Sequence, residues 1–322
     1  MNEEECISAG PIRSPWAARL AWVYLAALLL VWALGEWPAE RTVPTLLLAY
    51  APPALPGLGL ALLLVWARAA RLPVLLAALA GLGYSGFVWH PAGSPSPNQA
   101  ARPTLTLLSY NVARGGAGRP ERLAAQIQAQ GADIVTLQET NGVDVSFAPA
   151  LLAALPEYQA SQTGNGGELL TLSRWPAVRT QEITLPDTTR RFLLTTFETP
   201  LGRVDAVNVH FSTALVTGVL RGQVAPTRDR RAEQLHRLLQ QTGSLERVLV
   251  AGDFNTPPRG TPTDRRPEPE GAGGQGWGYT FPAGRPILRI DHVLARGLRP
   301  VSAEVLPAGG SDHRALRVTL QS

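Results

Sequence analysis

The sequence predicts an α/β or α+β layered domain that is preceded by a membrane-spanning helical region. Two observations carry this prediction. Apolar residues are unevenly distributed, because Leu, Ala, Val and Trp dominate residues 1–90 whereas the rest of the 322-residue chain has the composition of an ordinary soluble domain. In that second part, short apolar strands repeatedly end at polar residues, which is typical of a layered domain whose site lies at one rim of its sheets.

Three apolar segments in the N-terminal part, 16–37, 43–66 and 72–89, each approach the ~20 residues needed to cross a bilayer. Tryptophans lie at or near the segment ends, as an interfacial aromatic belt requires. A buried helical bundle is the alternative, but three successive segments with almost no charge favour membrane spans. Pro52 and Pro53 interrupt the second segment, so a re-entrant hairpin is the alternative for that span.

The placement of arginines orients the predicted spans. Arg13 and Arg19 precede the first segment, and Arg68 and Arg71 join the second to the third. With three spans these two regions lie on the same side, which the positive-inside pattern assigns to the cytoplasm. The sequence therefore predicts a multi-pass protein of the cell membrane, with a cytoplasmic N-terminus, an extracytoplasmic C-terminal domain and the lipid bilayer as a partner.

Composition shifts divide the chain into three parts. Residues 91–103 read PAGSPSPNQAARP, which predicts a Pro-rich flexible linker between a membrane region at 1–90 and a globular domain at 104–322. The single cysteine, Cys6, excludes an intrachain disulfide and a thiolate metal site. All 29 basic residues are arginine and the formal net charge is +4, a mild excess that permits a phosphorylated substrate but does not indicate a nucleic-acid groove.

The first half of the globular domain alternates apolar strands with helical segments. Strands are predicted at 104–110, 133–137 and 168–173, and helices at 120–130 and 147–155. Leu123 and Ile127 are spaced as one buried helix face, and Gly131 ends that helix.

The second half begins with a predicted hairpin of strands at 191–198 and 202–209, followed by a helix at 230–241. A buried strand at 248–251 then stops at Gly252, and a Pro/Gly-rich loop is predicted at 257–278. The last two predicted strands lie at 288–294 and 315–320. Strands outnumber helices, which favours a layered α/β or α+β domain.

Six of these strand ends carry polar side chains. They are Asn111, Glu139, His210, Asp253 with Asn255, Asp291 with His292, and Asp312 with His313. Each one alone is more often a turn cap than a functional residue. Together they hold the carboxylates, amides and imidazoles that hydrolysis of a phosphate ester needs, with oxygen ligands suited to Mg²⁺ and groups able to orient an attacking water.

The ordered motifs SYNV, LQE, NVH, GDFN, RIDHV and SDH resemble those of the endonuclease/exonuclease/phosphatase superfamily, over roughly 103–322. The resemblance implies a four-layer α/β sandwich of two mixed β-sheets flanked by helices, with the site at one end. It also implies a Mg²⁺ cofactor, with Mn²⁺ as the alternative. Two residues after Asn111, apurinic endonucleases of this superfamily have an Asp, whereas this chain has Ala113. This difference argues against a base-excision enzyme.

Roles follow from the resemblance position by position. The residues similar to metal-binding positions are Asn111, Glu139 and Asp312, and those similar to catalytic positions are His210, Asp253, Asn255, Asp291 and His313. His292 is interpreted as a strand-packing residue. Arg228, Arg230 and Arg231 either contact substrate phosphate or form a solvated helix face.

The expected function is that of a membrane-anchored, metal-dependent hydrolase of phosphate esters, of the phosphodiesterase, nuclease or phosphatase type. Its substrate would be nucleic acid or a phospholipid head group, and no obligate protein partner is expected. The alternatives are a catalytically inactive binding module on the same fold and a phospholipid-specific phosphodiesterase.

Overall fold

The computed structural model describes residues 15–36, 39–50, 75–76, 79, 103–115, 119–142, 146–257 and 278–322. In these ranges the α-helices are α1 Pro15–Glu36, α2 Val43–Ala49, α3 Pro120–Gln130, α4 Phe147–Ala153 and α5 Val224–Thr242. The strands are β1 Leu105–Asn111, β2 Ile134–Gln138, β3 Gln159–Gln162, β4 Leu169–Ser173, β5 Ala177–Thr184, β6 Arg191–Thr199, β7 Gly202–His210, β8 Val248–Asp253, β9 Asp291–Arg296, β10 Arg299–Val305 and β11 Leu316–Gln321. Short 3₁₀ turns lie at Ala39–Arg41, Ala113–Gly115 and Thr140–Gly142, and Ala214–Leu220 is π-helical.

The strands form two mixed sheets, as predicted. Sheet 1 has the order β10-β11-β1-β2-β4-β3, and sheet 2 has the order β5-β6-β7-β8-β9. The pairs β1–β2 and β7–β8 are parallel, and the other neighbouring strands are antiparallel. This is the α/β two-sheet sandwich that the motifs imply.

Alternating side chains of the central strands build separate core layers. Leu105 and Leu107 of β1 face the other sheet and join the cluster between the sheets, whereas Leu108 and Tyr110 face the helices. Leu123 of α3 packs on that outer face of sheet 1. Leu235 and Leu238 of α5 pack on the outer face of sheet 2. Central strands that are buried on both faces explain the continuous apolar runs in the sequence.

Strand register brings the polar strand ends to one rim of the sandwich. In sheet 2 His210 lies opposite Asp253, and Asp253 lies opposite Asp291. In sheet 1 Asn111 lies opposite Gln138, the residue before Glu139. Parallel neighbours end on the same side, so one rim receives the ends of β1, β2, β7 and β8.

The predicted transmembrane helices are wrong. Among the described residues, no helix combines the length and the apolar character that crossing a bilayer requires. The multi-pass location at the cell membrane, with a cytoplasmic N-terminus and an extracytoplasmic catalytic domain, is therefore also wrong. The lipid bilayer is not supported as a partner.

The physical reason is clearest in the second predicted span, 43–66. Its described part contains the seven-residue helix α2, which is followed by Tyr50. Leu46, Ala49 and Tyr50 pack into a buried cluster with residues of the globular domain, among them Ala214, Val224 and Ile290. Hydropathy marks these side chains as buried in an apolar environment, but that environment is protein. Most of the third predicted span and of the linker at 91–103 lies outside the described residues.

Some strands have no clear apolar signal and were not predicted. Strand β3 reads QASQ, most side chains of β5 are exposed or half-buried, and β10 contains a register shift after Pro300. Helix α5 begins earlier than predicted, at Val224. Residues 258–277 of the predicted Pro/Gly-rich loop lie outside the described part of the chain.

Candidate active site

Gly252 sets the position of the central carboxylate. Its φ is +148°, and a Cβ at this position would lie 1.9 Å from the carbonyl oxygen of Val209 on the neighbouring strand. Only glycine fits this close approach of two strands, because any side chain would clash with the backbone of β7. The next residue, Asp253, is 1% exposed and closes β8 at the rim.

The Asp253 carboxylate is surrounded by donors from other strand ends. Asn111 Nδ2 donates to Asp253 Oδ2 at 3.0 Å, and Asn255 Nδ2 donates to the same oxygen at 3.1 Å. The backbone N–H of Asn255 donates to Oδ1 at 2.7 Å. Nε2 of His210 lies 3.5 Å from Oδ2, and Nε2 of His313 lies 3.8 Å from it. One oxygen therefore lies near two amides and two imidazoles.

His210, at the end of β7, lies beside a carboxylate that sequence reasoning missed. Its Nδ1 lies 3.1 Å from Oε1 of Glu168, which also accepts a 3.0 Å hydrogen bond from Arg190 Nη1. Burial alone would raise the pKa of Glu168, but the contacts with His210 and Arg190 hold it below the ordinary value. The only sequence signal for Glu168 is an acidic residue directly before the apolar strand β4.

His313 has its own buried carboxylate partner. Its Nδ1 lies 2.8 Å from Oδ2 of Asp291, and its ring packs 5.0 Å from that of Phe281. Burial opposes the imidazolium, but the charges of Asp291 and Asp253 prevail and raise the pKa of His313 from 6.5 to about 10. His313 is therefore protonated near neutral pH with Nε2 facing Asp253.

Glu139 is the carboxylate at this centre that solvent can reach. Its side chain is 27% exposed, and its backbone has a φ of +58° directly after β2. Asn111 Nδ2 donates to Glu139 Oε1 at 3.4 Å, and that oxygen lies 3.7 Å from His210 Nε2. Glu139 and Asp253 thus approach the same imidazole nitrogen. Positive φ in non-glycine residues is costly and is common at functional sites, and Asn255 has it too, at +50°.

Asp312 is placed differently from the other predicted site residues. It is exposed, and Oδ1 accepts a 3.4 Å hydrogen bond from Ser311 Oγ. Its charge contributes to the raised pKa of His313, so it lies at the margin of the site. His292 packs edge-on against Phe254 and contacts the carbonyl of Thr256 through Nε2 at 2.8 Å, which agrees with a packing role.

The donor set fits a divalent cation. The carboxylates of Asp253 and Asp291 lie in a buried position within 4.8 Å of the His313 imidazole, which cannot itself bind a metal while it is protonated. Among the described residues, Oδ1 of Asp291 has no hydrogen-bond partner, although it is buried. Glu139 adds a further carboxylate on the solvent side. Clustered oxygen donors with several negative charges are the environment that Mg²⁺ and similar hard cations prefer.

Comparison with known proteins gives one family match. The model of the Endonuclease/Exonuclease/phosphatase family matches residues 108–313. No curated protein matches the chain.

Solved structures share the fold at low identity. An endonuclease/exonuclease/phosphatase from Bacteroides vulgatus is 20% identical, covers 68% of this chain and 99% of its own, and superposes with a TM-score of 0.55. The mannosyl-6-phosphatase of Bacteroides thetaiotaomicron is 17% identical, with coverages of 68% and 100% and a TM-score of 0.53. A humanized D. rerio TDP2 is 17% identical, with coverages of 68% and 99% and a TM-score of 0.52. At such identities the likeness shows the fold.

Proposed function

The chain belongs to the Endonuclease/Exonuclease/phosphatase family. From that premise we propose that it is a divalent-cation-dependent hydrolase of phosphate esters, with its active site centred on Asp253. The observation that carries the proposal is the pair of imidazoles that flank this carboxylate. His210 and His313 approach Asp253 Oδ2 from two sides, at 3.5 and 3.8 Å, and each has a separate carboxylate at its other nitrogen. Paired acid and base groups of this kind suit in-line attack of water on phosphorus.

In the proposed reaction Asp253 orients the attacking water and accepts its proton at Oδ2. The water oxygen forms a bond to phosphorus while the ester P–O bond breaks. His313 donates the proton that the leaving oxygen takes up, and Asp291 holds the imidazolium with Nε2 facing the site. His210 and Asn255 donate hydrogen bonds to the phosphate oxygens, where negative charge develops.

Glu139, with Asn111 beside it, would hold the divalent cation, and Asp312 remains a predicted further carboxylate at the margin. Bound Mg²⁺ or Mn²⁺ would neutralise charge on the phosphate. We assign Asp291 to His313 instead, because their 2.8 Å contact already engages one oxygen of this carboxylate. The substrate is a nucleic acid, a phospholipid head group or a small phosphate ester, and comparison of hydrolysis rates on these classes distinguishes them.

The test is hydrolysis by the full-length protein in Mg²⁺. Its substrates are bis-p-nitrophenyl phosphate, p-nitrophenyl phosphate, plasmid DNA and phospholipid vesicles. Asp253→Asn should lower kcat/KM on any accepted substrate by about 10³-fold, since it removes the proton acceptor and keeps the side-chain shape.

Asp205→Asn is the matched control. Asp205, on β7, is a buried carboxylate like Asp253, at 6% exposure. It pairs with Val248, at the end of the strands opposite to Asp253. This variant should remain within about threefold of the parent, because Asp205 lies at the end of β7 away from the site. If all four substrates stay intact while the protein is folded, the proposal fails and the inactive binding module is favoured.

A further inference from the structure

A buried polar network lies behind the turn that carries Asn255. Arg231 of helix α5 and Glu40 of the N-terminal 3₁₀ turn are both 0% exposed, and Arg231 Nη2 lies 3.2 Å from Glu40 Oε1. Oε1 of Glu40 also accepts a 3.3 Å hydrogen bond from Thr256 Oγ1. Arg231 is thus neither a solvated helix residue nor, in this arrangement, a substrate contact, because its guanidinium is engaged inside the protein.

Tyr50 connects the same network to the site. Its hydroxyl donates to the carbonyl oxygen of Asn255, and Arg231 Nη1 donates to that hydroxyl at 3.4 Å. Asn255 in turn holds Asp253 through its backbone N–H and its side-chain amide. A chain of hydrogen bonds therefore runs from the N-terminal segment, through Asn255, to the central carboxylate.

The N-terminal segment 39–50 is anchored to the domain by apolar contacts as well. Leu46 and Ala49 join Tyr50 in a cluster with Val224 and Ile290, and Ile290 precedes Asp291 of the site. Segment 39–50 lies outside residues 108–313, the range that matches the family. Its contacts with the site are therefore a feature of this chain that membership of the family does not supply.

We propose that Tyr50 and Glu40 are positioning residues of the active site, acting through Asn255 and Thr256. Asn255 has a φ of +50°, a left-handed conformation that costs free energy even though asparagine adopts it more readily than most residues. The Tyr50 hydroxyl fixes the Asn255 carbonyl, and Glu40 fixes Thr256 one residue later. Loss of either contact lets the turn relax and displaces the two groups that hold Asp253. Only the kinetic readout of this inference rests on the proposed function.

The test compares two conservative tyrosine variants of the full-length protein. Tyr50→Phe keeps the buried ring and removes the donor to Asn255. Tyr158→Phe is the matched control, because Tyr158 is also buried and donates to a backbone carbonyl, that of Ala132, away from the site. We expect hydrogen exchange at the amides of residues 253–256 to accelerate about tenfold in Tyr50→Phe and to stay unchanged in Tyr158→Phe.

In Tyr50→Phe kcat should also fall about tenfold with KM nearly unchanged, because small displacements of catalytic groups lower the rate more than the substrate affinity.

A second pair of variants tests the contact of Glu40 through its hydrogen-bond donor, Thr256. Thr256→Val removes the donor and should reproduce the faster exchange, and Thr256→Ser should restore the parental rate.

Unchanged exchange at residues 253–256 in both Tyr50→Phe and Thr256→Val would overturn the inference, as would equal effects of Tyr50→Phe and Tyr158→Phe. If the parent protein hydrolyses no substrate, the proposed function fails. Hydrogen exchange still decides whether Tyr50 and Glu40 hold the turn, so the two failures are distinguishable.

Discussion

The strand-end rim around Asp253 and the N-terminal segment 39–50 both contact Asn255, yet they differ in how their sequences relate to their surroundings. At the rim, polar side chains follow apolar strands that are buried between layers, so each polar residue has an evident place. In segment 39–50 the polar residues Glu40 and Tyr50 stand among apolar ones. Their partners Arg231, Asn255 and Thr256 are 181 to 216 residues away in the sequence. The difference teaches that an apolar segment does not disclose whether lipid or protein covers it.

The substitution with the largest expected effect removes the carboxylate partner of His313 at the rim. Asp291→Asn should lower kcat about 10³-fold, because the carboxylate that favours the protonated form of His313 is lost. The pKa of His313 should fall from about 10 toward its ordinary value of 6.5. NMR titration of the imidazole after removal of divalent cations measures this directly.

The sign of the linked stability change follows from the raised pKa. Protonation of His313 stabilises the folded state fully below its unfolded pKa of 6.5, and this contribution is lost as the pH rises through about 10. The unfolding free energy of the cation-free parent should therefore fall across this range more steeply than that of Asp291→Asn. Titration of His313 near 6.5 in the parent would contradict the assigned pairing.

A smaller effect is expected from truncating Leu46, which packs segment 39–50 onto the domain. Leu46 is 0% exposed whereas its neighbour Leu47 is 53% exposed on the same short helix. Leu46→Ala should lower the unfolding free energy by about 2 to 3 kcal/mol through lost burial and a residual cavity. Leu47→Ala should change it by less than about 0.5 kcal/mol.

Urea unfolding of the full-length protein measures both leucine variants. Equal destabilisation by the two substitutions would show that segment 39–50 does not pack on the domain as described. A cost for Leu46 alone would sharpen the comparison, because it would show that protein, rather than lipid, buries this apolar side chain.

The strand-end pattern predicted polar side chains that the fold brings close together, and their roles stay predictions. Seven of the eight predicted site residues lie together around Asp253 or its imidazole partners, while Asp312 lies exposed at the margin. Strands of the sheet centres were predicted because burial on both faces leaves continuous apolar runs. Edge strands such as β3 and β5 were missed because their side chains are largely polar or exposed and their pairing is set by neighbours.

The contacts that sequence reasoning missed are long-range polar ones. Glu168 lies 42 positions before its partner His210 in the sequence, and it directly precedes a strand rather than following one. Glu40 and Arg231 form their ion pair inside the protein, where charged residues are rarely placed by pattern alone. Hydropathy indicated that Leu46, Ala49 and Tyr50 are buried, but it assigned their burial to lipid rather than to protein.

The measurement that tests the central claim most directly is the initial rate at which the full-length protein hydrolyses bis-p-nitrophenyl phosphate, before and after chelation of divalent cations. The arrangement around Asp253 predicts hydrolysis in Mg²⁺, a fall of about 10²-fold or more on chelation, and recovery when Mg²⁺ or Mn²⁺ is restored. Hydrolysis that continues unchanged after chelation would contradict the cation-dependent site. No hydrolysis by folded protein under any of these conditions would contradict the site as a phosphodiesterase centre.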